Sequence, residues 1–404
     1  MHVELHPRYS ETPQGIAARQ LTGACVHCGI CLATCPTYLD TRDERDSPRG
    51  RIYLIKNMLE SGEASAATVT HLDRCLTCRN CETTCPSGVR YGELLDIGRD
   101  LLEQEAPRRR WDSLRRRALR TLLVRPRLLS TGLAFARWAL PVLPPRLRSK
   151  VPPPQSVGVA PTARHERTML ALEGCVQSAA TPATHAVARR LLDKLGVTLQ
   201  SAPRAGCCGA LDQHLSAPDS AAERARHNID QWWPYIEQGA EAIVSSASGC
   251  GAQLNDYGRL LVNDPLYSAK AARITALAKD VGQVLEAEPL EQLTVDTRIG
   301  RVAVHTPCTL RNAMQQPALI HRVLTRLGFE VVKNLPDQGC CGSAGTYSLL
   351  QPDTSDRLRQ STLSALTGDH PDVIVTANIG CQLHLQSGAN IRVVHWIELL
   401  DSTP

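Results

Sequence analysis

Cys25, Cys28, Cys31 and Cys35 return 50 residues later as Cys75, Cys78, Cys81 and Cys85. Each run has the form C-x2-C-x2-C-x3-C-P, closed by Pro36 and Pro86. Three cysteines at this spacing can wrap one face of an iron-sulfur cubane, while the fourth is carried past it and the proline turns the chain away. In runs of this kind the fourth cysteine ligates the other of two clusters. The expectation is therefore two [4Fe-4S] clusters, one on Cys25, Cys28, Cys31 and Cys85 and one on Cys75, Cys78, Cys81 and Cys35. A pair of structural zinc sites is the competing reading, but zinc asks for four near-tetrahedral ligands and has no need of two identical runs ending in Cys-Pro.

A second set of cysteines is also duplicated. Cys175, Cys207 and Cys208 recur as Cys308, Cys340 and Cys341, displaced by 133 residues, and Cys250 recurs as Cys381, displaced by 131. Adjacent cysteines flanked by glycines, with a third well before and a fourth well after, could bring four thiolates to one point. The flanking glycines, Gly206 and Gly209 in one copy and Gly339 and Gly342 in the other, let backbone pass close to a bound group. Two pseudo-symmetric sites and a single site between two lobes both fit the pattern. Cysteine is also a common inert core residue. Chance burial does not explain the duplication of a whole pattern.

These cysteines need elements to position them. A chain of 404 residues can bury real cores and divides by composition into a cysteine-rich segment at 1–105, a basic connector at 106–165, and two α/β modules at 166–290 and 291–404. In the first segment Ser47 and Pro48 read as an N-cap and first helical position, with Ile52, Ile55 and Leu59 on one face of the helix that follows. The cluster segment is thus predicted as helices and loops around metal. In each later module an apolar strand, Thr168 to Cys175 or Arg301 to Cys308, is expected to end at a cysteine. A helix then stops at Gly196 or Gly328, and a β-branched run at Ala242–Val244 or Val373–Val375 leads to a Gly-Cys pair. The fold class is mixed: a helical two-cluster domain followed by two pseudo-repeated α/β modules.

Composition excludes other classes. The start of the chain has no apolar leader, so a reducing, cytoplasmic setting is expected, where clustered cysteines serve as metal ligands or redox thiols. The stretch from Leu128 to Leu143 is too short for a membrane span and contains Arg137 and Pro141. With a net charge of +5 and only 4% aromatic residues, the chain offers little for a nucleic acid to stack on. The connector is rich in arginine, from Arg108, Arg109 and Arg110 to Arg146 and Arg148, interleaved with Trp111, Leu114, Leu122, Leu128, Phe135 and Trp138. Helices broken at Pro126 and Pro141 could lie on an anionic membrane surface, dock a partner subunit, or cover the α/β lobes.

The whole chain resembles the glycolate oxidase iron-sulfur subunit family, which is related to the anaerobic glycerol-3-phosphate dehydrogenase small subunit and to heterodisulfide reductase. The resemblance is carried by Cys25 to Cys31, Cys35-Pro36-Thr37-Tyr38, Ser47 to Arg51, Cys85 to Gly92, and the paired Gly-Cys-Cys-Gly modules. It implies an electron-transfer subunit that takes electrons from an FAD-containing glycolate-oxidising subunit, beside a further flavoprotein-like subunit, and passes them toward a quinone-linked acceptor. It implies cofactor binding by Cys175, Cys207, Cys208, Cys250, Cys308, Cys340, Cys341 and Cys381, with room there for an additional iron-sulfur cluster, and peripheral contact with the inner face of the cytoplasmic membrane. The fuller module ends in C-x-x-C, whereas Ala247 and Asn378 stand here three residues before Cys250 and Cys381, which argues against a five-thiolate cluster. No G-x-G-x-x-G opens a strand-helix unit, so substrate oxidation is assigned to a partner and no catalytic residue to this chain. Lactate or glycerol-3-phosphate oxidation, a stand-alone thiol-disulfide reductase, and a zinc-stabilised interaction module are the alternatives.

Overall fold

The structure is a computed structural model describing residues 1–106, 108, 110–333 and 339–401; Pro107 and Arg109 of the basic connector lie outside the described residues. The cluster domain is helical. Ser47 accepts the Gly50 amide at 3.0 Å and Pro48 opens the helix Pro48–Ser61, which ends at Gly62 in the left-handed region. Its buried face carries Ile52, Ile55 and Leu59, packed against Leu94, Leu95 and Leu102 of the helix Tyr91–Glu105. The first cysteine run precedes the helix Pro48–Ser61, and the second lies between the two helices.

The connector forms the helices Arg110–Leu123 and Pro126–Trp138, with Pro126 in the first turn, where its missing N–H costs no hydrogen bond. It lies on the rest of the chain. Asp73 of the cluster domain receives Arg108 and Arg116 at 2.8 and 2.9 Å. Val124 packs with Cys175 and Cys207, and Leu133 packs beside Ala180, Ala247 and Ile379. The covering role weighed for this stretch is thus occupied by part of it, while Trp111, Phe135 and Trp138 remain 67–82% exposed.

Beyond the connector are two parallel sheets. In the first, β1 (Arg167–Leu172), β2 (Val197–Ser201), β3 (Ile243–Ser245) and β4 (Ala278–Asp280) lie in the order β2-β1-β3-β4. In the second, β5 (Val302–His305), β6 (Val373–Thr376) and β7 (Arg392–His395) lie in the order β5-β6-β7. Among the described residues the counterpart of β2 is a single bridge between Val302 and Val331. The strands β3, β5 and β6 are buried throughout, as expected for parallel sheets covered on both faces.

Strand ends differ from expectation. The first strand stops at Leu172, because Gly174 at φ +69° turns the chain, and Cys175 opens the helix Cys175–Ala180. The matching strand stops at His305, ahead of Pro307, which has no amide to give a ladder, and Cys308 caps the single π turn Thr309–Ala313. Cys250 and Cys381 likewise sit in the first turn of the helices Ser248–Asn255 and Ile379–Gln386 rather than on strands. The two lobes share a core. Met169, Leu191, Val244 and Val281 of one pack in a single cluster with Val302, Leu319, Val375 and Trp396 of the other. Across the seam the Ser248 amide donates to Ala377 O at 2.9 Å, and His395 Nε2 meets Ser246 O at 2.7 Å.

Candidate functional site

The two N-terminal loops have the same backbone shape. His27 and Gly29 in the first, and Thr77 and Arg79 in the second, all have positive φ, between 53° and 82°. Three of these are not glycine, and each such residue costs about 1–3 kcal/mol unless its surroundings hold it. Strain repeated at matching positions marks loops shaped to coil around something. One small cavity is lined by Cys25, Cys28, Cys31 and Cys85, with Cys81 in its wall. A second is lined by Cys35, Cys75, Cys78 and Cys81. Cys85 therefore faces the first loop and Cys35 the second.

The donor chemistry fits a cluster. Burial pushes the Cys31 thiol up to about 11, and Cys78 and Cys81 well above the ordinary thiol range. Thiolates so placed need a compensating cation, which iron supplies. Around them are donors that the sequence reading did not single out. Arg51, 1% exposed, donates to His71 O at 2.6 Å and to Thr37 Oγ1 at 3.1 Å, and lies 4.0 Å from Cys35 Sγ. Its charge is met by buried Asp46 at 3.3 Å, which also takes His71 Nδ1 at 2.8 Å and Arg74 at 3.2 Å. The Tyr91 hydroxyl points at Cys75 Sγ from 3.6 Å. The signal for Arg51 was its place on the face of Ile55 and Leu59, since an arginine on a core stripe needs a partner inside.

The eight C-terminal cysteines gather at the carboxyl ends of β1, β3, β5 and β6, the edge at which open parallel sheets take ligands. Cys175 and Cys207 are 3.3 Å apart, and Cys208 lies beside Cys207 and Cys250. In the other lobe Cys308 and Cys340 are 4.0 Å apart, and Cys341 lies beside Cys340 and Cys381. All eight line one cavity of about 360 Å³ between the lobes, roofed by Leu123, Leu129 and Leu133 of the connector. The turn after each cysteine pair is held by a glycine. Gly209 and Gly342 have φ of +90° and +87°, and a Cβ there would meet Ala221 O at 3.1 Å or Ser355 O at 2.7 Å.

The two sets have different surroundings. Cys207 is held well below the usual thiol range by its hydrogen bonds with Cys175 and Cys208, with the Gly209 amide and Arg224 assisting. Cys308 is pushed up by its hydrogen bond with Cys340 and by burial. Where the fuller module has a cysteine, Ala247 leaves an apolar wall in one lobe, while Asn378 donates to Cys381 Sγ at 3.5 Å in the other.

The cavities adjoin. Cys78 lines both the second small cavity and the large one, and it packs with Leu76, Cys308 and Cys340. Asn312, two residues from the second lobe's Leu310 core position, donates to Cys78 O at 2.7 Å. Among the described residues no helix is long and apolar enough to cross a membrane.

Comparison with known proteins agrees with this layout. The 4Fe-4S dicluster domain family matches residues 24–90, and the cysteine-rich domain (CCG) family matches residues 169–255 and 302–386. A crystal structure of a hypothetical protein from Helicobacter pylori shares the fold, with a TM-score of 0.56 at 8% identity over 97% of this chain and 72% of that one. Lactate utilization protein A of Bacillus cytotoxicus is 24% identical over 52% of this chain and 89% of its own. The probable glycolate oxidase iron-sulfur subunit of Bacillus subtilis is 29% identical over 93% of this chain and 92% of its own. The glycolate oxidase iron-sulfur subunit of Escherichia coli is 47% identical over 99% of this chain and 98% of its own. With both cysteine-bearing regions covered at that identity, the chain belongs to the glycolate oxidase iron-sulfur subunit family.

Proposed function

We propose that this chain carries electrons from an FAD-containing subunit that oxidises glycolate toward a quinone-linked acceptor, within a complex that includes a further flavoprotein-like subunit. Cys25, Cys28, Cys31 and Cys85 would hold one [4Fe-4S] cluster, and Cys35, Cys75, Cys78 and Cys81 the other. Such clusters supply one-electron chemistry when bound. The protein's part is to bury the thiolates, to set buried Arg51 beside Cys35, and to place the sites in a row. The cysteines of the large cavity, Cys175, Cys207, Cys208 and Cys250 with Cys308, Cys340, Cys341 and Cys381, would form a third station, as an additional iron-sulfur cluster or a redox-active thiol group.

The observation that carries this reading is the position of Cys78, in the walls of both the second cluster cavity and the large cavity. Contiguity of three thiol-lined sites is what a relay requires and what a stand-alone thiol reductase does not. The exposed Trp111, Phe135 and Trp138, on helices carrying many arginines, support seating at the cytoplasmic face of a membrane, near a quinone.

The test is anaerobic co-purification with the flavin partner, followed by addition of substrate. Glycolate should bleach the visible absorption of this chain, with about eight iron atoms per chain in the N-terminal domain. Bleaching by lactate or glycerol-3-phosphate but not by glycolate would replace the substrate, and a colourless, iron-free chain would overturn the relay.

A further inference from the structure

At one matching position the second lobe has a histidine where the first has a leucine. His305, the last residue of β5, stands 133 residues after Leu172, the last residue of β1, so the displacement that relates the cysteines also relates these two positions. His305 is 5% exposed, and one ring nitrogen of it and the sulfurs of Cys341 and Cys381 all lie within 4.8 Å of one another. Cys341 and Cys381 are themselves 1% and 4% exposed. His305 Nδ1 lies 2.9 Å from the hydroxyl of Thr376 on the neighbouring strand β6. That bond engages Nδ1 and leaves Nε2 as the nitrogen free to bind, the arrangement by which a metal-binding imidazole is oriented.

We propose that His305, Cys341 and Cys381 form a mononuclear zinc site, present in the second lobe and absent from the first. Two thiolates and an imidazole are a zinc donor set, whereas magnesium and calcium ask for oxygen ligands. Cys341 and Cys381 line the large cavity, which His305 does not, so a metal held by the three would adjoin that cavity. Asn378 Nδ2, 3.5 Å from Cys381 Sγ, adds a donor that stabilises a charged thiolate. With zinc on Cys341 and Cys381, these two thiols would leave the third station proposed for all eight, and its redox part would rest on Cys175, Cys207, Cys208 and Cys250 of the first lobe.

Metal analysis of the full-length chain, purified anaerobically from cells supplied with both iron and zinc, tests this. One zinc per chain is expected beside the iron, with zinc-edge X-ray absorption showing two sulfurs at about 2.3 Å and one nitrogen at about 2.0–2.1 Å. His305→Leu, which copies the first lobe, should lose the zinc and keep the iron. His305→Cys should keep zinc with three sulfurs around it, and this variant carries the test if the leucine variant does not fold. Absence of zinc, zinc retained in both His305→Leu and Cys381→Ser, or a fall in iron rather than zinc in His305→Leu would each overturn the site. The iron count and substrate bleaching report on the relay separately, so failure of one reading does not imitate failure of the other.

Discussion

The chain contains two duplications, and they have diverged in opposite ways. The N-terminal loops keep the same cysteine spacing and the same left-handed residues, yet each sends its last cysteine to the other's cavity: Cys85 lies with Cys25, Cys28 and Cys31, and Cys35 with Cys75 and Cys78. The C-terminal lobes keep their cysteines at home but differ in what surrounds them, with Leu172 against His305 and Ala247 against Asn378. Exchange of a ligand ties two copies into one unit that cannot drift apart. Copies that share only a core and a cavity wall can change their surroundings independently.

The strongest way to break that contrast is to remove an exchanged cysteine. Cys35→Ala should abolish the cluster of the second loop, leaving roughly half of the N-terminal iron, with electron transfer from the flavin partner to a quinone analogue lost. Iron analysis and electron paramagnetic resonance of the reduced protein check it. Loss confined to the cluster of Cys25, Cys28 and Cys31 would mean that each loop keeps its own four. In the lobes, by contrast, Cys250→Ala should disturb only the first set.

Arg51 comes next. Its guanidinium is enclosed with Asp46, Thr37 and Cys35, and Arg51→Leu leaves Asp46 buried with one cation fewer. Stability should fall by about 3–5 kcal/mol, as when one partner of a buried pair is removed. The potential of the adjacent cluster should move down, because a positive charge that favours the reduced form is gone. Urea unfolding and a redox titration read the two effects, and an unchanged potential would show that Arg51 serves only the fold.

Much of this layout could be read from residue order, and what could not depends on burial and on distant partners. The cysteine runs, the Ser47 cap and the helix stops at Gly196 and Gly328, both at positive φ, depend on neighbours a few residues away. His305 was passed over because its partner is distant in sequence, Thr376 lying 71 residues on, whereas Arg51 was missed because nothing local marks Asp46, only a few residues before it, as buried. The single cavity depends on contacts longer still, such as Asn312 to Cys78 across 234 residues. For the connector, composition left membrane, partner and covering roles level. Pairing of Arg108 and Arg116 with Asp73, and packing of Val124 and Leu133 at the cavity, account for its inner face and leave Trp111, Phe135 and Trp138 for the others.

A smaller effect probes the seam between the lobes. His395 is fully enclosed, and burial lowers its pKa from 6.5 to about 3, against the opposing pull of its bond to Ser246 O. The unfolded chain takes up this proton below about pH 6.5, and the folded chain does not until about pH 3. The stability tied to the neutral ring is therefore present above pH 6.5 and lost as pH falls through that window. His395→Gln should flatten the profile by up to about 1.4 kcal/mol per pH unit between pH 6.5 and pH 5, measured as the difference between the two proteins in urea. Parallel profiles would assign the acid sensitivity to other groups.

The smallest expected effect separates the edge of a contact from its centre. The second lobe meets the cluster domain through Arg357, whose guanidinium grips the Asp40 carboxylate with two bonds of 2.7 Å, and through Asn312 and the packing of Cys308 against Cys78. Arg357 is 53% exposed on its side chain, so water and salt screen the pair and its arginine must be ordered to make it. Arg357→Ala should cost about 0.2–1 kcal/mol, shrinking further as ionic strength rises, with iron content and intramolecular electron transfer unchanged. Asn312→Ala, which leaves the Cys78 carbonyl without its donor inside the contact, should cost about 1–3 kcal/mol and be insensitive to salt. If the order were reversed, the surface charge would be what seats the lobe against the cluster domain, and the adjacency of Cys78 and Cys308 would be its consequence rather than the contact that the interface is built to keep.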